Sequence, residues 1–288
     1  MSGFLAVAAT PSVAFAQQTI TCEPPAAAAP AASPAAAASP AAETVIPFPA
    51  DTGTVNIFAA SSLTDAFDKI GADLEAANPG LDLVFNYAGS SALVTQLSEG
   101  AAADVFASAN GTQMQAAVDA GVISGDSSVF ARNRLAIVVP KDNPAGIAGM
   151  ADLAKDGVKL VLAAEDVPVG QYGRQAICNA GADAATYGDG FADLVAGNVV
   201  SNETNVKNVL AKVQLGEADA GIVYVTDVTA DVAADVTLID IPNEINVIAK
   251  YPIAAVNGGN ADAAAAFISY VLGPDGQATL ASFGFQSK

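Results

Sequence analysis

Residues 55–63, VNIFAASSL, and 81–93, LDLVFNYAGSSAL, spell one arrangement twice: an apolar strand, a serine and the opening of a helix. The first backbone N–H groups of a helix lack partners within it, and the aligned peptide dipoles leave about half a positive charge there. A strand feeding such a start brings a hydroxyl and several N–H donors to one point, a trap for an anion that needs no Lys or Arg. Ser62 and Ser90 are the two candidate hydroxyls. Serine is also a favoured N-cap, so either position alone reads as a cap. Repetition at the carboxyl ends of two successive strands, where open α/β sheets bind ligands, points to an oxyanion receptor.

Working outward, Leu63, Ala66, Phe67, Ile70 and Leu74 form a 3.6-residue stripe, with Asp65 placed as a capping-box partner of Ser62, until Asn78-Pro79-Gly80 ends the helix. Alternation at Leu81, Leu83, Phe85 and Tyr87 predicts the next strand, and DVFAS at 104–108 a third, after which Asn110 caps a short helix. RLAIVVP at 134–140 is a continuous apolar strand followed by a change of composition, where a first crossing into a second lobe is expected. KLVLAA at 159–164, helices at 171–180 and 206–215 and the strand AGIVYV at 220–225 repeat the pattern; NVIAKYPIAA at 246–255 is the expected return. Strand–helix alternation calls for α/β lobes, each a mostly parallel sheet flanked by helices.

The first fifty residues read differently. Residues 1–16 end in Ala14-Phe15-Ala16, a small-x-small cleavage pattern, although no basic segment precedes the apolar stretch. Residues 23–42 hold twelve Ala and five Pro, so 17–50 is expected to be an Ala/Pro-rich disordered linker. The 238 residues beyond suit two modest lobes, and past the leader no apolar run approaches the roughly 20 residues of a membrane helix. Net charge is −19, which makes nucleic acid and anionic membrane surfaces poor partners. A local array of dipoles still outweighs distant exposed charges, which salt screens beyond about 8 Å. Two readings stay open for the cysteines: Cys22 pairs with Cys178 across the spacer, or Cys22 is a lipid-anchored N-terminus, for which Ile20-Thr21-Cys22 is a poor recognition sequence.

Several stretches together resemble the substrate-binding proteins of molybdate ABC transporters, a type II periplasmic-binding-protein family. They are NIFAASSLTDAF (56–67), NYAGSSALVTQLSEGAAADVFASAN (86–110), RLAIVVPK (134–141), EDVPVGQYGRQAI (165–177), ETNVKNVLAKVQLGEADAGIVYVTD (203–227) and YPIAAV (251–256). The resemblance implies two lobes joined by a two-strand hinge, residues 51–138 with 249–288 and residues 139–248. It also implies molybdate or tungstate as ligand, an ABC permease as partner, export to the periplasm or tethering to the outer face of the cytoplasmic membrane, and a monomer with no cofactor. Its ligand set falls on the hydroxyls of Ser62 and Ser90, the backbone amides of Val169 and Val206, and the hydroxyl of Tyr224, with Ser61 and Ser91 as register alternatives. Arg174 is expected on a solvated helix face, outside the site, and Glu165-Asp166 in a solvated loop.

Other classes fit less well. The chain has no His, which removes Ser-His-Asp and Cys-His catalysis and the commonest zinc sites, and no Trp to serve as a sugar platform. A ferric receptor would want clustered Tyr, His and carboxylate, whereas the six tyrosines are dispersed. Sulfate and phosphate remain rival oxyanions, and an adhesion module on a stalk would explain the tail but not the paired serines.

Overall fold

The computed structural model describes residues 18–22, 46–50 and 52–288. The expected leader, 1–16, and most of the spacer, 23–45, lie outside the described residues. Two sheets organise the rest. The first has the order β11-β4-β10-β3-β1-β2, from strands β1 (Gly53–Ala60), β2 (Leu81–Ala88), β3 (Val105–Ala107), β4 (Ile123–Asn133), β10 (Ala249–Val256) and β11 (Gln286–Ser287). The second has the order β7-β6-β8-β5-β9, from β5 (Leu135–Pro140), β6 (Leu160–Ala163), β7 (Val199–Glu203), β8 (Ala220–Tyr224) and β9 (Val236–Asp240).

Period-two alternation in β1 gives the first sheet two apolar faces. Val55, Ile57 and Ala59 join the larger core, while Phe58 joins a separate cluster with Leu93, Leu97, Phe106 and Met114. Helices α1 (Thr64–Ala77), α8 (Ala261–Leu272) and α9 (Pro274–Ser282) go with the first face, where Phe67 packs against Phe85, Phe130 and Phe267. Helices α2 (Ser90–Ser98) and α3 (Gly111–Asp119) go with the second. The other sheet carries α4 (Pro168–Gly181), α5 (Ala184–Tyr187), α6 (Phe191–Gly197) and α7 (Val206–Gln214). Val206, Val209, Leu210 and Val213 form the buried stripe of α7. Each such side chain contributes about 1.5–3 kcal/mol on burial.

Three expectations change. Each sheet is mixed: β1 pairs in parallel with β2 and β3, and β6 with β7 and β8, but β10 is antiparallel to β3 and β4, and β5 to β8 and β9. A chain that leaves one sheet on β4 and re-enters on β10 must return in the opposite sense. The first crossing falls at Asn133–Arg134 rather than after 138, because β5 belongs wholly to the second sheet. An apolar run marks a buried strand but not which sheet it joins. Finally, residues 18–22 are not spacer. Ile20 is buried, Asn202 Nδ2 donates to Gln18 Oε1 at 2.6 Å, and Cys22 is bonded to Cys178 of α4. Of the two cysteine readings the disulfide holds, and the Cys22 sulfur is not free to carry a lipid.

Candidate functional site

Helix starts from both sheets meet at one small cavity of about 10 Å³. Ser62, Ser90, Val169, Val206 and Tyr224 all line it, together with Ser61, Gly89 and Ala109. Ser91 does not line it. Each segment arrives from the carboxyl end of a strand: Ser62 after β1, Ser90 after β2, Val169 after β6 and Val206 after β7, with Tyr224 the last residue of β8.

Local sequence explains the helix starts from the second sheet. Pro168 opens α4, where its missing N–H costs nothing, so the first free amides belong to Val169 and Gly170. Gly170 stands where a Cβ would run into the carbonyls of Ala163 and Ala164, which lets the helix start abut the end of β6. Asn205 caps α7 by accepting from Asn208 N at 3.0 Å, leaving the amide of Val206, the first helical residue, without an intrahelical partner.

The two serines are not caps. Residues Ser61–Leu63 form a 3₁₀ turn and α1 begins only at Thr64, so Ser62 does not start the helix and Asp65 is not its capping partner. Ser62 Oγ instead lies 3.0 Å from Tyr251 Oη, and Asp65 Oδ2 accepts from Lys207 Nζ at 2.7 Å across the cleft. Ser90 is the first residue of α2, behind Gly89, and its Oγ accepts from Ala109 N at 3.1 Å. Both hydroxyls are bound on one side and buried, Ser62 at 5% and Ser90 at 0% exposure.

Tyr224 closes the cavity. Its ring is 1% exposed, burial above all holds its pKa well above the ordinary range, and its Oη makes no hydrogen bond of good geometry, although Tyr251 interacts with it. A buried hydroxyl left unpaired costs about 1–3 kcal/mol, so its place on the cavity wall marks an acceptor still to come. No lining residue carries a charge. Among the described residues no group of three or more His, Cys, Asp and Glu is placed to hold a metal ion.

Arg174 lies outside the site but not on a solvated face. Its guanidinium donates to the carbonyls of Ala163 and Gly170 at 2.7 and 3.0 Å and to Asn202 Oδ1 at 2.6 Å, fastening α4 to β6 and the segment before α7. Glu165 is exposed and lies 3.6 Å from Arg174 Nε, while the Asp166 carbonyl accepts from Gln113 Nε2 at 2.7 Å. Sequence reasoning overlooked Tyr251, Asn133 and Gly89; only the YPIAAV and YAGSS stretches signalled two of them.

Two sheets whose helix starts face each other across a cavity of neutral donors define a two-lobed solute receptor. The chain belongs to the bacterial extracellular solute-binding protein family, whose model matches residues 55–286. It is similar to the molybdate-binding protein ModA of Mycobacterium tuberculosis, 38% identical over 233 residues, 81% of this chain and 84% of the relative. The periplasmic molybdate-binding protein of Azotobacter vinelandii shares the fold, with TM-score 0.68 and 17% identity over 81% of this chain and 99% of that one. So does the sulfate-binding protein SubI of M. tuberculosis, with TM-score 0.71 and 17% identity over 82% and 87%.

Proposed function

We propose that this protein captures molybdate, and tungstate by the same contacts, between its two lobes and delivers it to the permease of an ABC transporter. The ligand is held by the hydroxyls of Ser62, Ser90 and Tyr224 and the amides of Val169 and Val206. The observation that carries this reading is the convergence of Ser62, Ser90, Val169, Val206 and the buried Tyr224, whose hydroxyl makes no hydrogen bond of good geometry, on a cavity lined by uncharged groups. A tetrahedral oxyanion offers acceptors only, and hydrogen bonds to a charged partner contribute about 1.5–3 kcal/mol each. Donors from both sheets make binding and lobe closure one event, because the anion favours the closed arrangement only as far as it binds it more tightly. The 38% identity to a molybdate-binding relative supports the ligand assignment.

The receptor acts outside the cytoplasm, as a monomer and without catalytic turnover. The Cys22–Cys178 bond suits an oxidising compartment. Sulfate is the second reading, favoured by the similarity to a sulfate receptor of the same fold. Titration calorimetry with molybdate, tungstate, sulfate and phosphate decides between them. Molybdate and tungstate are expected to bind most tightly, and Ser62→Ala and Ser90→Ala each to weaken them by about 1–3 kcal/mol. Tighter binding of sulfate, or unchanged affinity in both variants, rejects the assignment.

A further inference from the structure

Each serine of the site has a hydrogen-bond partner within the protein. For Ser90 that partner is the backbone N–H of Ala109, so the serine's own proton is left for the cavity. For Ser62 the partner is Tyr251, fully buried; either oxygen of the pair can donate, and Asn133 bears on which does. Asn133 Oδ1 accepts from the backbone N–H of Arg134 at 2.9 Å, which turns its Nδ2 toward Thr226 Oγ1 at 2.7 Å and Tyr251 Oη at 3.4 Å. An amide nitrogen only donates. With Asn133 donating to it, Tyr251 Oη still has its own proton to give, and Ser62 Oγ at 3.0 Å is an acceptor within reach of it.

We propose that Tyr251, oriented by Asn133, is a specificity-determining positioning residue that holds Ser62 as a hydrogen-bond donor and so excludes anions carrying a proton of their own. The inference rests on the oxyanion reading above. A serine free to rotate can either donate to an oxyanion or accept from a P–OH group; a serine already accepting from Tyr251 is biased to donate. An incoming P–OH then loses a hydrogen bond it had in water and finds no acceptor. The relay also starts at the crossings between the sheets. Asn133 ends β4, Tyr251 is the third residue of β10, and Ala249 pairs with Asn133 in register. The strands that carry the chain between lobes thus set the polarity of the site.

The test is titration of molybdate, which carries no proton at pH 8, and of inorganic phosphate, which keeps one, against wild type, Tyr251→Phe and Asn133→Asp. Tyr251→Phe removes the donor behind Ser62. Asn133→Asp places an acceptor where the amide donated and draws the Tyr251 proton away. In both variants the ratio of molybdate to phosphate affinity is expected to fall at least about tenfold, a loss of about 1.4 kcal/mol of discrimination. A merely structural role would weaken both anions together and leave the ratio unchanged, which would overturn the proposal. Thermal melting checks that each variant folds; if Tyr251→Phe does not, Asn133→Asp carries the test, and loss of folding in both would assign the relay to stability and reject it. A wild-type protein that binds neither anion would overturn the underlying reading and this inference with it.

Discussion

Gly89 and Thr204 touch across the cleft: the backbone carbonyl of Thr204 occupies the space that a Cβ at position 89 would need. Gly89 has φ −60° and ψ 138°, an extended conformation open to any residue, so the glycine is required by proximity and not by backbone geometry. Closure also brings Lys207 to Asp65 and Asn110 Nδ2 to Gln171 Oε1, at 2.7 Å each.

Gly89→Ala is therefore expected to obstruct closure while leaving each lobe intact. Affinity for molybdate should fall by about 1–3 kcal/mol, the usual cost of overpacking, with the ligand-free melting temperature unchanged or slightly raised. Calorimetry and thermal melting measured side by side check it. Undiminished affinity would show that the two segments separate in the bound protein.

Tyr224→Phe should separate binding from stability. It removes a buried hydroxyl that makes no hydrogen bond of good geometry, so the ligand-free protein is expected to keep or gain stability, by up to about 1–3 kcal/mol toward denaturant. Molybdate affinity should fall in the same variant. A loss of stability would mean that the hydroxyl is already satisfied without ligand.

Asp227 predicts a pH dependence. Its carboxyl is fully buried, Oδ2 accepts from Tyr224 N at 2.8 Å and Oδ1 has no partner. Burial pushes its pKa up to about 7, with Asp65 adding to the rise and Lys207 and the Tyr224 N–H opposing it. The folded protein then holds a proton that the unfolded chain releases near pH 4. The stabilisation is complete below about pH 4 and is lost as pH rises through about 7, at up to roughly 1.4 kcal/mol per unit between those limits. Asp227→Asn should remove that slope from urea midpoints measured between pH 4 and 8. An identical slope in the variant would assign the dependence to other groups.

The bond between Cys22 and Cys178 links residues 156 apart, and a loop of that length stabilises mainly by restricting the unfolded chain. Reduction, or Cys22→Ser, is expected to cost about 2–5 kcal/mol, read as a lower urea midpoint with little change in molybdate affinity, because neither cysteine lines the cavity. A midpoint unmoved by reductant would contradict it.

The strand–helix alternation and the cap at Asn110 could be read from the chain because each is local, set by residues no more than four apart and by the period of the apolar pattern, whereas Val169 and Val206 came from resemblance to a family. Ser62 and Ser90 were found by the same local logic, as hydroxyls where a strand feeds a helix, and the competing reading of each as a cap fails. Tertiary structure alone decided what stands behind them and across from them. Tyr251 meets Ser62 over 189 residues, Lys207 meets Asp65 over 142 and Cys22 meets Cys178 over 156. No periodicity records such pairs, since they arise only when two sheets dock and the crossing strands return antiparallel. That docking turned Asp65 from an imagined cap into a contact between lobes, and drew β5 into the second sheet.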